Sequence, residues 1–231
     1  MKGATKVTSY KLTLKVKRLL EKYSSNLKTS KAKLINYGLF EVFVKNKEKI
    51  GPDIIAEYIN STKLILKKDT YTFHILEEYY NQITNLKEEV EKINNTKYHD
   101  NEFLGIILSF YFDKIAFLRK KKVIEQLEED EKPSQIGLYL NIKLKKRINE
   151  LCEKYQLNAG TLFFDVLSDI SSKNFPFHSF PKNIYIESEE KERIIIYLPK
   201  YIHNELNENP LSNSFIAEIR AEQFFKKFNI T

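Results

Sequence analysis

The stretch Ser9-Tyr10-Lys11-Leu12-Thr13-Leu14, continuing through Lys15-Val16-Lys17-Arg18-Leu19-Leu20-Glu21-Lys22-Tyr23, decides how the whole chain reads. Tyr10, Leu12 and Leu14 fall on one face of an extended segment, and Ser9, Lys11 and Thr13 on the other. This period-two alternation predicts a half-buried strand. Val16, Leu19, Leu20 and Tyr23 then recur at helical spacing. Asn26 to Thr29 break the pattern, and Ser30 is placed to cap a second helix whose apolar face is Leu34, Ile35, Leu39, Val42 and Phe43.

The same order recurs three times. Thr70 to Ile75 sets Tyr71, Phe73 and Ile75 against Thr70, Thr72 and His74. A longer helix follows, with Tyr79, Ile83, Leu86, Val90 and Ile93 on its stripe. Asp100 or Asn101 is expected to cap the next helix, which carries Phe103, Leu104, Ile107 and Leu108. Gln135 to Leu140 opens a third segment, with helical positions Leu144, Ile148, Leu151 and Tyr155, then Asn158 as a cap before Leu162, Phe163, Val166 and Leu167. Cys152 lies on the first of these stripes and reads as core. Arg193 to Pro199 opens the fourth, followed by Ile202 and Leu206, then Ser212 as a cap before Phe215, Ile216, Ile219 and Phe224. The inward sets begin at residues 10, 71, 136 and 194, a near-regular spacing that favours duplication. Between these segments, Gly51-Pro52-Asp53 predicts a short extra helix over 51–62. An exposed charged helix is expected over 114–131, and an irregular linker over 173–192 with a hairpin arm at Ile184 to Ile186.

Composition narrows the possible chemistry. The 231 residues are 42% hydrophobic, enough for a substantial core, and hold one cysteine, which excludes a disulfide framework and a cysteine-based zinc site. Histidines 74, 99, 178 and 203 show no ligand spacing, and six glycines supply no phosphate loop. The longest charge-free apolar run, Phe103 to Phe112, is too short to span a bilayer, and the N-terminus does not read as a signal peptide. The expected location is therefore cytoplasmic. The net charge of +7 is unevenly placed: residues 1–50 carry +10, residues 51–133 carry −4 and residues 134–231 carry +1. A basic N-terminus of this kind attracts phosphate, although a solvated lysine-rich surface accounts for it equally well.

On these residues the chain resembles the ribbon-helix-helix DNA-binding superfamily of the Arc, MetJ and CopG type. The closest match is SYKLTLKVKRLLEKY…LKTSKAKLINYGLF over residues 9–40. RIIIYLPKYIHNEL…LSNSFI keeps the strand-then-proline signature, and QIGLYLNIKLKKRINELCEKYQLNAGTLF keeps the spacing with Asn141 where proline is usual. The second segment departs most, with 29 residues from Ile75 to Leu104 against 20 from Leu14 to Leu34. The resemblance implies a mainly α fold with short β-ribbons, arranged as tandem ribbon-helix-helix units that form two intramolecular pseudo-dimers. The first would span 1–118 (units 1–50 and 69–118), with a charged helical connector over 119–133. The second would span 134–231 (units 134–172 and 192–231).

The resemblance also implies a function: sequence-specific binding of double-stranded DNA, with a two-stranded ribbon in the major groove. The expected setting is transcriptional repression or plasmid and mobile-element maintenance, associated with the nucleoid. The implied base contacts are Ser9, Lys11, Thr13, Thr70, Thr72 and His74. Implied phosphate contacts are Thr29, Ser30 and Lys31 at the second helix N-terminus, with Lys6 and Lys15, and further basic support from Lys2, Lys17 and Arg18. On the second ribbon the outward positions are Gln135, Gly137 and Tyr139 with Arg193, Ile195 and Tyr197. Gln135, Tyr139, Arg193 and Tyr197 are its candidate contacts, either to DNA or, through the C-terminal half, to another copy or a protein partner. The alternative is an interaction or scaffold module that no longer contacts DNA. No cofactor, metal or catalysis is expected, because the carboxylate clusters at 77–78, 88–91 and 128–131 fall on helices expected to be solvated.

Overall fold

A computed structural model describes residues 4–115, 132–168 and 190–227. The described chain is mainly helical with two small antiparallel sheets. Strand β1 (Thr5–Thr13) leads into α1 (Leu14–Asn26) and α2 (Lys31–Phe40), which ends in a π-helical turn over Glu41–Lys45. Helix α3 (Pro52–Ser61) follows. Then come β2 (Leu66–Leu76), α4 (Glu77–Asn94) and α5 (Asp100–Phe110), which ends in a second π-helical turn, Tyr111–Ile115. The C-terminal half contains β3 (Ser134–Asn141), α6 (Ile142–Lys154) and α7 (Ala159–Leu167), then β4 (Lys191–Leu198), α8 (Lys200–Asn207) and α9 (Asn213–Lys227). The order strand, helix, helix thus occurs four times.

Local chemistry sets these boundaries. Thr13 ends β1 because its hydroxyl accepts the Val16 N–H at 3.2 Å and caps α1. Leu14, expected on the buried strand face, therefore opens the helix and is 41% exposed. Asn141 caps α6 in the same way, its Oδ1 accepting from the Lys143 N–H, so the position where proline is usual in the resembled pattern still starts a helix. Ser30, Asn158 and Ser212 each accept an amide from three residues ahead. The expected cap at Asp100 or Asn101 is not formed. His99 occupies the cap position of α5 without a side-chain bond, and Asp100 lies in the first turn, where a carboxylate favours the helix dipole. The turns after α1, α4 and α6 each use one left-handed residue: Lys28, Asn95 and Gln156. Ile93, expected on the buried stripe of α4, is exposed near the helix end.

Residues on the inward faces form one continuous core. Tyr10, Leu12, Ile75, Leu138, Leu140 and Leu198 all bury their side chains in it. In β1–β2, Ser9 pairs with Thr72, Tyr10 with Tyr71 and Lys11 with Thr70; a register shift between Lys11 and Thr13 ends the regular ladder. In β3–β4, Gly137 pairs with Ile195 and Tyr139 with Arg193. Both outer edges of each two-stranded ribbon are covered, and always by the second helix of the segment to which the strand pairs. α5 lies along β1, and a Cβ at Gly105 would fall 1.9 Å from the Lys11 carbonyl oxygen, so only glycine permits this approach. α2 reaches β2 through Asn36 Nδ2, which donates to the His74 carbonyl at 3.5 Å. α9 covers β3: Ser214 Oγ accepts the Tyr139 N–H at 2.9 Å and Glu218 Oε1 accepts the Asn141 N–H at 2.6 Å. α7 packs beside β4. Each pair of segments is thereby interlocked, and among the described residues every ribbon edge has a helix packed along it.

The two halves also share this core. Phe40 meets Tyr155 at 5.1 Å, Tyr79 meets Tyr155 at 6.4 Å and Tyr23 meets Phe164 at 6.3 Å between ring centroids. α2 lies between the halves, which is why Leu34 to Phe40 are all buried and its apolar surface is not confined to one stripe. The connector expected over 119–133 falls mostly outside the described residues, as do the linker residues 173–189 with the arm at Ile184 to Ile186, and Lys2.

Candidate nucleic-acid interface

With the edges closed, the outward face of each ribbon is its remaining open surface. On β1–β2 this face carries Val7, Ser9 and Lys11 beside His74, Thr72 and Thr70. Ser9 Oγ and Thr72 Oγ1 share a hydrogen bond at 3.0 Å across the strands. Lys11 donates to Glu102 Oε1 at 2.8 Å, and both side chains are 30% exposed. The Lys11 ammonium holds the Glu102 carboxyl below its usual range. The Thr13 hydroxyl is occupied in capping α1 and lies 3.5 Å from Ser109 Oγ. Thr70, Thr72 and His74 are exposed.

The flanking basic residues divide. The Lys6 ammonium sits 3.5 Å from the Tyr80 ring centroid, a cation–π contact that leaves it at the ribbon's side. Lys15 pairs with Asp113, whose other oxygen accepts from Tyr58 Oη at 2.7 Å. Lys31 meets Glu21 at 3.3 Å on the surface. Ser30 Oγ takes the Lys33 amide at 3.3 Å and leaves the preceding first-turn amides of α2 without an intrahelical acceptor. Thr29 is buried: its amide donates to the Ser24 carbonyl and its own carbonyl accepts from Ser24 Oγ. Arg18 is exposed on α1, and Lys17 lies 5.5 Å from the Tyr71 ring centroid.

The second ribbon differs in character. Tyr197 Oη donates to Gln135 Oε1 at 3.1 Å, Tyr139 and Ile195 are exposed, and Arg193 lies across Gly137. Lys28, from the α1–α2 turn of the other half, places its ammonium 4.4 Å from the Tyr197 ring centroid.

Sequence reasoning missed the charged groups between the halves. Lys45 donates to Glu41 and, at 2.6 Å, to Asp165, which also accepts from Tyr37 Oη at 2.6 Å. Burial, and then the Asp165 charge, push the Glu41 carboxyl up to about 7 against the pull of Lys45. The Glu41–Lys45 spacing of four was visible in the sequence, but Asp165 was not. Glu91, read as solvated, is instead buried: it accepts the Tyr98 amide at 2.8 Å and pairs with Lys97, closing the α4–α5 turn and holding its carboxyl below the usual range. Burial pushes the Cys152 thiol up to about 12.

No family model, curated protein or solved structure matches the chain. Among the described residues no helix is long and apolar enough to cross a membrane, and no group of three or more histidine, cysteine or acidic side chains is placed to hold a metal.

Proposed function

We propose that the chain binds double-stranded DNA as two interlocked ribbon-helix-helix pairs, with the β1–β2 ribbon reading the major groove. The observation that carries this reading is the outward face of that ribbon. It has no carboxylate at the positions from Val7 to Lys11 or from Thr70 to His74, and it offers hydroxyls, an ammonium and an imidazole. A ribbon of this width fits the major groove, where such groups meet base-edge acceptors and donors. The interlocked helices hold the ribbon rigid and support its use as a reader. The first-turn amides of α2, with Lys31, provide a phosphate anchor, and the +10 charge of residues 1–50 adds a salt-sensitive attraction. The cellular setting that fits a binder without chemistry of its own is repression, or plasmid and mobile-element maintenance, at the nucleoid.

A second reading, an interaction or scaffold module, draws on Lys11–Glu102 and Lys15–Asp113, since both lysines are held by acids. Selection from random duplexes with the full chain separates the two. An enriched motif, bound more weakly as salt rises, supports the DNA reader. Recovery of no motif, with no retention of duplex at low salt, supports the scaffold and overturns the reader.

A further inference from the structure

The outward face of the β3–β4 ribbon is built differently from that of β1–β2. Its strand positions Gln135, Gly137, Tyr139 and Asn141, opposite Tyr197, Ile195, Arg193 and Lys191, include no acid. Tyr139 is 52% exposed and Ile195 is 51% exposed; they are diagonal neighbours on this face. A Cβ at Gly137 would lie 2.6 Å from Arg193 Nε and 2.8 Å from its Nη2, so the glycine lets the guanidinium lie down on the strand backbone. The Lys28 ammonium stands over Tyr197, and neither it nor Arg193 meets a carboxylate in an ion pair among the described residues. The β3 edge amides at Tyr139 and Asn141 are already taken by Ser214 and Glu218, so a partner cannot add as another strand along β3.

We infer that this face is a stacking platform for unpaired nucleic-acid bases. A phenol ring and a planar guanidinium offer flat, weakly hydrated contacts to the faces of bases, with the apolar sec-butyl side chain of Ile195 beside them, and those faces are exposed only when a strand is unpaired. Lys28 and Arg193 supply the charge that a phosphate backbone requires. A duplex presents base edges instead, and the central pair of this face, Ile195 opposite Gly137, contributes no side-chain donor or acceptor to read them, which leaves only the Arg193 guanidinium laid over Gly137 to do so there. The platform is separate from the β1–β2 reader and does not rest on its being correct.

The test uses the full chain and fluorescence anisotropy with labelled oligothymidylate and oligouridylate of about 16 nucleotides, with unlabelled duplex as competitor. Binding is expected, resisting competition by duplex of random sequence. Tyr139→Ala should weaken it roughly ten- to a hundredfold, and Tyr139→Phe should retain it, because the ring and not the hydroxyl stacks. Both variants alter an exposed side chain and should keep the parent circular dichroism. The tighter of the two oligonucleotides identifies DNA or RNA as the source of the strand. The proposal is overturned if neither oligonucleotide binds at low salt, if Tyr139→Ala binds as tightly as the parent, or if duplex competes equally well. Failure of the β1–β2 reader is distinguishable, since substitutions at Lys11 or Thr72 should change duplex binding and leave oligothymidylate binding intact.

Discussion

Lys11 illustrates how one residue answers to two partners. Its position places it on the outward ribbon face, where the proposed reader would meet a base, while its ammonium is held by Glu102 from a helix 91 residues away. An ion pair with both members 30% exposed contributes little, about 0–1 kcal/mol. DNA can therefore displace Glu102 at small cost. Lys11→Ala is expected to relax sequence preference and cost about 1–3 kcal/mol of specific affinity. Glu102→Gln frees Lys11 and removes an acid beside the outward ribbon face, and should tighten duplex binding by up to about fivefold if that face is the reader. Titration of both variants against specific and random duplexes checks the pair; weaker binding by Glu102→Gln would show that Glu102 orients Lys11 instead of restraining it. Leu12 makes the complementary point from inside. It is 2% exposed, so Leu12→Asp buries an unpaired charge and should abolish the native melting transition.

At the scale of elements, the capped starts of α2, α7 and α9 were legible because a hydroxyl or amide oxygen sits three residues before the amide it takes, whereas the caps of α1 by Thr13 and α6 by Asn141 were not. Strand faces were legible from alternation, and the departures on strand and helix have local causes: Thr13 caps α1 so that Leu14 opens the helix, and Ile93 lies one residue before the end of α4. The helix covering each strand edge was not legible, since no period in the sequence names it. Gly105 carries the clearest consequence. With the Lys11 carbonyl 1.9 Å from a hypothetical Cβ, Gly105→Ala must push α5 off β1, and is expected to destabilise the fold by roughly 1–3 kcal/mol in spite of alanine's better helix propensity. Denaturant midpoints measure it; an unchanged or raised midpoint would mean that α5 is free to shift.

Across the whole molecule, the halves meet over an aromatic layer that surrounds Glu41, Lys45, Asp165 and Tyr37. Two carboxylates share one ammonium there, and Glu41 is the group lifted to about 7 by burial and by Asp165. A carboxyl raised in the folded state binds a proton on folding. Its contribution to stability is therefore full below its unfolded value and is lost as pH rises through about 7. Unfolding free energy should fall over that window by on the order of 3 kcal/mol, and Glu41→Gln should flatten the profile. Denaturant unfolding at a series of pH values tests this; a parent profile as flat as that of the variant would place the titration elsewhere.

The sequence by itself determined where strands alternate, where α2, α7 and α9 start and which faces carry most of the apolar residues, because each of these depends on neighbours within a few positions. Only the tertiary structure decided which helix closes which strand edge, that Glu102 reaches Lys11, and that Asp165 joins Lys45 across 120 residues. Those meetings arise from the packing of distant segments around a shared core, and polar partners so far apart leave no periodic trace in the chain.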